Sequence, residues 1–308
     1  MSWWCVAWSE ELKGKPLAVR VGNEEIVLFR NATGAVCACE DRCAHRRVPL
    51  SMGWVTPKGS IQCGYHGWCY DGQSGQCVEI PNFRPDEPIS PRVKVRVFSA
   101  SEINGAIFVD VGSEAEASLS APSITKLDSA AGAVVGQVEI PVPHSVWIEN
   151  LIADPIAALG LNLLKAEGAA GQPKAEKSSV VVEQKVRSTA AGDASKQVLQ
   201  LRFEVWALTG LAQLILRDSN DAVQLNLVIS SLPLAAERTV VRWRLLDEVA
   251  SGVFTAVLRK LVGRAPEPIK IRNNVVRISP PHSAVLLWRD LLADEQLTAH
   301  RIHVSEEH

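Results

Sequence analysis

The segment CAHRRVPLSMGWVTPKGSIQCGYHGW, running from Cys43 to Trp68, constrains this chain more than any other. It reads Cys43-x-His45, then seventeen residues, then Cys63-x-x-His66. Thiolates and imidazoles at short fixed spacing are ligands for zinc or for an iron–sulfur cluster. Each half offers one Cys and one His, so a fold that uses all four must bring two loops to one point. The chain has seven Cys, an odd number that cannot all pair internally, and five of them lie between Cys37 and Cys69. That clustering indicates a site rather than a disulfide scaffold.

Residues 1–112 are expected to form a small all-β domain. PLAVRV, EEIVLFRN, AVCACE, SIQCGY, GQCVEIP and GAIFVDVG are β-prone, and GNE, NATG, PKG, DGQSG and EING punctuate them as turns. SEAEASLSAPS, residues 113–123, is expected to be a linker. Residues 124–308 mix types. VVGQVEIPV, SSVVVEQKVRS, QVLQLRFEVWAL, AVQLNLVISSLPL and RTVVRWRLL alternate as antiparallel strands do, whereas SVWIENLIADPIAALGLNLLK and EVASGVFTAVLRKLVG have helical spacing. LKAEGAAGQPKAEKSS is expected to be a mobile loop. The fold class is α+β.

The loops CAHR and CGYHGW resemble, almost letter for letter, the two cluster loops of Rieske oxygenases. That resemblance implies a Rieske [2Fe–2S] centre, with Cys43 and Cys63 on the inner iron and His45 and His66 on the outer one. Gly64 and Gly67 let backbone N–H groups approach the sulfides. High-potential Rieske proteins brace their loops with a disulfide whose Cys positions hold Val48 and Gly64 here. The expected potential therefore lies toward the lower end of about −150 to +300 mV. Cys5, Cys37, Cys39, Cys69 and Cys77 read as small core hydrophobes on strands.

The stretch from WSEELKG to CAHR is similar to the start of vanillate, phenoxybenzoate and dicamba oxygenase α subunits. The second domain resembles their helix-grip catalytic domain. There a helix carries E/D-N-x-x-x-D-x-x-H-x-x-x-x-H, and two His plus a later carboxylate hold Fe(II) with positions open for oxygen. Glu149, Asn150 and Asp154 match the first half, but the two His positions hold Ala157 and Asn162. The later carboxylate would fall near PIKIRNNVVR, which has Arg and Asn instead. The resemblance thus implies that the electron port is kept and that mononuclear iron is absent.

In the resembled family the Asp at position 154 bridges a Rieske His of one subunit to an iron His of the next. A local hydrogen-bonding role before Pro155 is the plainer alternative. Arg42, Arg46 and Arg47 flank the outer cluster loop, as a solvated patch or as a dock for an acidic reductase or ferredoxin. Trp68 is expected to shield the cluster. The other five His are His144, His282, His300, His303 and His308; an improvised site could draw on the first four and HRIHVSEEH could bind a metal adventitiously, with a solvated tail or strand as the plainer reading.

The expected protein is a Rieske [2Fe–2S] oxidoreductase of the ring-hydroxylating oxygenase and demethylase family, an oligomeric, electron-transferring accessory α-type subunit. Its partners would be an NAD(P)H-dependent reductase or ferredoxin and a complete α subunit in a mixed oligomer. A working monooxygenase or demethylase with other iron ligands, and a free-standing Rieske carrier, are the alternatives. A net charge of −2 gives nucleic acid no electrostatic support. No apolar run reaches membrane-span length, and the N-terminus does not read as a leader, so the expected location is the cytoplasm.

Overall fold

The computed structural model describes residues 3–84, 86–112, 134–161, 164–168, 171–176, 179–188, 198–207, 209–246 and 283–293. The chain divides into two units, Met1–Thr125 and Lys126–His308. The expected linker, 113–123, lies outside the described residues, as do Asn162, PIKIRNNVVR, the helix expected at EVASGVFTAVLRKLVG and the four later His, His282, His300, His303 and His308.

The first unit is built from β1 (Trp3–Trp8), β2 (Leu17–Val21), β3 (Glu24–Arg30), β4 (Val36–Glu40), β5 (Trp54–Val55), β6 (Ile61–Gln62), β7 (Cys69–Tyr70), β8 (Cys77–Glu79), β9 (Val97–Phe98), β10 (Ala100–Ile103) and β11 (Ala106–Asp110). They form three antiparallel sheets in the orders β1-β11-β10, β2-β3-β4-β9 and β5-β6-β7-β8. Asn104 and Gly105 both have positive φ, 49° and 81°, the pair that a tight hairpin between β10 and β11 requires. Two of these sheets feed the Cys-His loops. β4 runs into the first Cys-His loop, and β6 and β7 bracket the second. The five Cys outside the motif all lie buried on strands β1, β4, β7 and β8.

The second unit contains β12 (Val134–Ile140), α1 (His144–Ala153), α2 (Pro155–Ala158), β13 (Leu164–Ala166), β14 (Lys174–Glu176), β15 (Ser179–Ser188), β16 (Val198–Trp206), β17 (Leu211–Arg217), β18 (Val223–Ala235), β19 (Arg238–Leu245) and α3 (Ser283–Ala293). The sheet runs β12-β19-β18-β17-β16-β15-β13, antiparallel throughout, with β14 also on β15. Alternate residues of β16 to β19, among them Phe203, Leu214, Leu227 and Trp243, share one core with Trp147 and Leu151 of α1 and Trp288 of α3. Both helices therefore lie on one face of the sheet. Trp147 Nε1 donates to Ser231 Oγ at 2.8 Å, and Glu149 takes both Nε and Nη2 of Arg289 at 2.7 Å, which ties α1 to the sheet and to α3.

Two expectations change. The helix read from Ser145 to Lys165 stops at Ala153, because Asp154 precedes a proline and takes φ −148°, ψ 84°. Only one further turn forms before Gly160, at φ 63°. The stretch read as a loop from Leu164 holds β13 and β14, which pair with Val186–Ser188 and Ser179–Val181.

Candidate metal centre

The two Cys-His loops have the same backbone. In the first, Cys43 N–H donates to Val48 O at 2.9 Å and Arg47 N–H donates to Cys43 O at 2.9 Å. In the second, Cys63 N–H donates to Trp68 O at 2.9 Å and Gly67 N–H donates to Cys63 O at 3.0 Å. The fifth residue of each is left-handed, Arg47 at φ 59° and Gly67 at φ 73°. Glycine takes that conformation freely; arginine does so at a cost, held here in part by its ion pair with Glu40 at 2.6 Å.

These loops converge four donors. Cys43 and Cys63 are buried, His45 is half-buried and His66 is exposed. The two imidazoles lie 4.7 Å apart between ring centres. Burial, the largest effect, raises the Cys63 pKa; the backbone N–H groups of Tyr65 and His66 oppose it by favouring the thiolate, and the neighbouring Cys43 raises it again. Two adjacent buried thiols ionise together only against a cation. The His45 Nδ1 is buried with no hydrogen-bond partner, a cost that a metal ligand bond removes. Partial burial, then His66 and Arg46, hold the His45 pKa below the usual imidazole value, which favours the neutral form that a metal ligand needs. Trp68 stacks on His45 at 4.5 Å and 4°, fixing the plane of that ring. Tyr70 Oη lies 3.1 Å from Cys43 Sγ and accepts the Ala44 N–H at 3.2 Å. The donor set fits a two-iron cluster with thiolates inside and imidazoles outside.

Residues 2–99 match the family described as the Rieske [2Fe-2S] domain. The chain carries a Rieske domain. Over 116 residues it is 41% identical to the toluene-4-sulfonate monooxygenase system iron-sulfur subunit of Comamonas testosteroni, covering 38% of this chain and 32% of that protein. Over 153 residues it is 34% identical to the dicamba O-demethylase oxygenase component of Stenotrophomonas maltophilia, covering 49% and 44%. The matches thus span less than half the length of these relatives. Among solved structures, dicamba monooxygenase bound to dicamba matches 97% of the chain and 98% of its own, with a TM-score of 0.71 at 19% identity. The terminal oxygenase of carbazole 1,9a-dioxygenase from Nocardioides aromaticivorans matches 96% and 94%, with a TM-score of 0.63 at 20% identity. At those identities the likeness concerns the fold, and it extends beyond the Rieske domain into the second unit. These two relatives and two structures are all oxygenases or components of oxygenase systems.

Around the Rieske loops, two of the three flanking arginines are neutralised. Arg42 pairs with Glu25 at 2.9 Å and Arg47 with Glu40, which leaves Arg46 without an ion pair among the described residues. In the second unit Asp154 is exposed and caps α2, its Oδ1 accepting the Ala157 N–H at 2.9 Å. Ala157 itself is exposed. Glu149, the acidic residue of the helix motif, is engaged by Arg289. Among the described residues, no three His, Cys, Asp or Glu side chains gather around a single ion position. Nor is any described helix long and apolar enough to cross a membrane. Sequence reading missed Tyr70: a tyrosine two residues past Trp68 on a two-residue strand carries no pattern that points it at Cys43.

Proposed function

We propose that this chain is an electron-transferring, α-type component of a Rieske oxygenase system that lacks mononuclear iron of its own and serves a complete sister subunit. The observation that carries the reading is Ala157, a methyl group on the exposed end of α2 where the resembled helix motif has its first iron His. Asn162 at the second His position points the same way. Cys43, Cys63, His45 and His66 hold the [2Fe–2S] group, which supplies one-electron transfer when bound. The chain's own part is to bury the thiolates, to fix the His45 plane with Trp68 and to present His66 to solvent.

Electron entry is assigned to the His66 side. Tyr65 contacts the His66 ring at 3.8 Å, and Tyr65, Met52 and Trp54 are 63%, 73% and 51% exposed, large values for apolar side chains. With Arg46 nearby, which has no ion pair among the described residues, the fitting partner is an acidic reductase or ferredoxin. Assembly as a trimer, or as a mixed hexamer with a complete subunit, gives Asp154 a use beyond capping α2, as a carboxylate beside a neighbour's ligand.

The test is turnover. With a reductase, NADH and a panel of aromatic and N-methyl substrates, the homogeneous protein is expected to accept electrons and yield no product above background. Arg46→Glu is expected to slow reduction by the partner and to weaken its salt dependence. Robust product formation by the chain alone would favour a second reading, an active monooxygenase with other iron ligands, to which the similarity in fold to dicamba monooxygenase also lends support.

A further inference from the structure

The two Rieske loops have no cross-link between them, since Val48 and Gly64 occupy the positions where a disulfide would sit. Something else must hold their spacing, because the four donors come from both loops and a cluster tolerates little drift between them. The described residues contain a candidate in Asp41, which lies two residues before Cys43.

Asp41 is 7% exposed, and both of its carboxylate oxygens are used. Its Oδ1 accepts the Ser51 N–H at 2.7 Å and its Oδ2 accepts the Ser51 O–H at 2.6 Å. Its own N–H donates to Glu25 O at 2.9 Å, which fixes it to β3. The two bonds to Ser51 close a ring of chain that contains Cys43 and His45. Ser51 is the middle residue of a single 3-10 turn, Leu50–Met52, whose Leu50 is buried in the core beneath the loops.

That turn bears directly on the second loop. A Cβ on Gly53 would stand 1.8 Å from Gln62 O and 3.1 Å from Gly64 N, and one on Gly64 would stand 2.9 Å from Met52 O. Backbone therefore meets backbone, with no side chain between to take up slack. Gln62 and Gly64 flank Cys63. An unbroken series of short contacts runs from the base of loop one, through Asp41, Ser51 and the Met52–Gly53 backbone, to either side of the second thiol. Charge-assisted hydrogen bonds to a buried carboxylate are among the stronger polar contacts a protein makes.

We propose that Asp41 is a positioning residue for the cluster, and that the Asp41–Ser51 clamp does by hydrogen bonding what a disulfide between the loops would do covalently. It acts through Ser51 and touches no ligand. This inference rests on the Rieske domain carrying its cluster.

The experiment compares wild type, Asp41→Ala, Asp41→Asn and Ser51→Ala, purified anaerobically, by the reduced-state EPR line shape of the loaded fraction and by the rate at which a chelator bleaches the cluster. Asp41→Ala is expected to broaden or shift the signal and to speed bleaching by about tenfold or more. Asp41→Asn keeps an acceptor for the Ser51 N–H and a donor for its oxygen, so it should restore the wild-type line shape. Ser51→Ala loses one of the two bonds and should show a smaller change of the same kind, which keeps the test open if Asp41→Ala does not fold. Variants that melt at lower temperature yet keep the wild-type line shape and bleaching rate would overturn the proposal and leave Asp41 a stability residue only. A wild-type protein with no Rieske signal would overturn the cluster assignment and the clamp's role with it.

Discussion

Tyr70 Oη lies 3.1 Å from Cys43 Sγ while accepting the Ala44 N–H, a position from which its own O–H can donate to a Cys43 thiolate, which has no proton to give. Burial first, and then the Cys43 beside it, push the phenol pKa up, so this group remains a donor across the working pH range. A donor to a thiolate ligand stabilises the electron-rich reduced state more than the oxidised one. Tyr70→Phe is expected to lower the midpoint potential by on the order of 50 mV, read by a spectroelectrochemical titration. An unchanged potential would mean that the hydrogen bond is not made to the ligand in the loaded protein.

Gly53→Ala tests the backbone contact between the loops from the other side. A methyl group cannot sit 1.8 Å from Gln62 O, so the turn and the β6 end must separate. The expected cost is about 3 kcal/mol in stability of the first unit, with poor cluster loading. Chemical denaturation and iron content measure the two effects together.

Acid should loosen the first unit at an identified place. Arg30, at the end of β3, places Nη1 and Nη2 on Glu102 of β10 at 2.8 and 3.0 Å, and so ties two sheets together. The hydrogen bond from Arg30 is the main reason that the Glu102 pKa lies below the ordinary carboxylate value. A depressed folded-state pKa contributes stability that is present above the unfolded value and is lost as pH falls through the folded one. Melting temperature should therefore decline as pH drops below about 4.5, and Glu102→Gln should flatten that part of the curve.

Trp147→Phe should cost about 1–3 kcal/mol in the second unit, by removing the indole donor from the buried Ser231 hydroxyl and leaving space behind it. Differential scanning calorimetry that resolves two transitions would show the loss in one of them alone.

Much of this architecture is readable from local pattern. β15, β16, β18 and β19 alternate because one face packs on α1 and α3, and the four proposed cluster ligands announce themselves by spacing. The strand Trp3–Trp8 does not, because all six of its residues are buried and no period appears. β17 is nearly as buried, at five of its seven residues, including the polar Gln213. Asp41 and Ser51 are ten residues apart and polar, a description that fits any loop; only the folded chain brings them together. The left-handed Arg47 is equally silent, since a turn signal there would have been a glycine, as Gly67 is in the sister loop. Arg42 and Arg47 read as free charge because Glu25 reaches Arg42 from β3 and Glu40 reaches Arg47 only once the loop after β4 has folded back.

Iron and acid-labile sulfide per chain, measured on anaerobically purified protein alongside EPR, test the proposed role most directly. About two iron and about two sulfide per chain are expected, with a rhombic signal after reduction that His66→Ala abolishes. About three iron per chain, one of them lost on mild chelation without loss of the signal, would contradict the assignment of Ala157 and Asn162 as an iron-free site. A colourless protein with stoichiometric zinc would contradict the cluster itself.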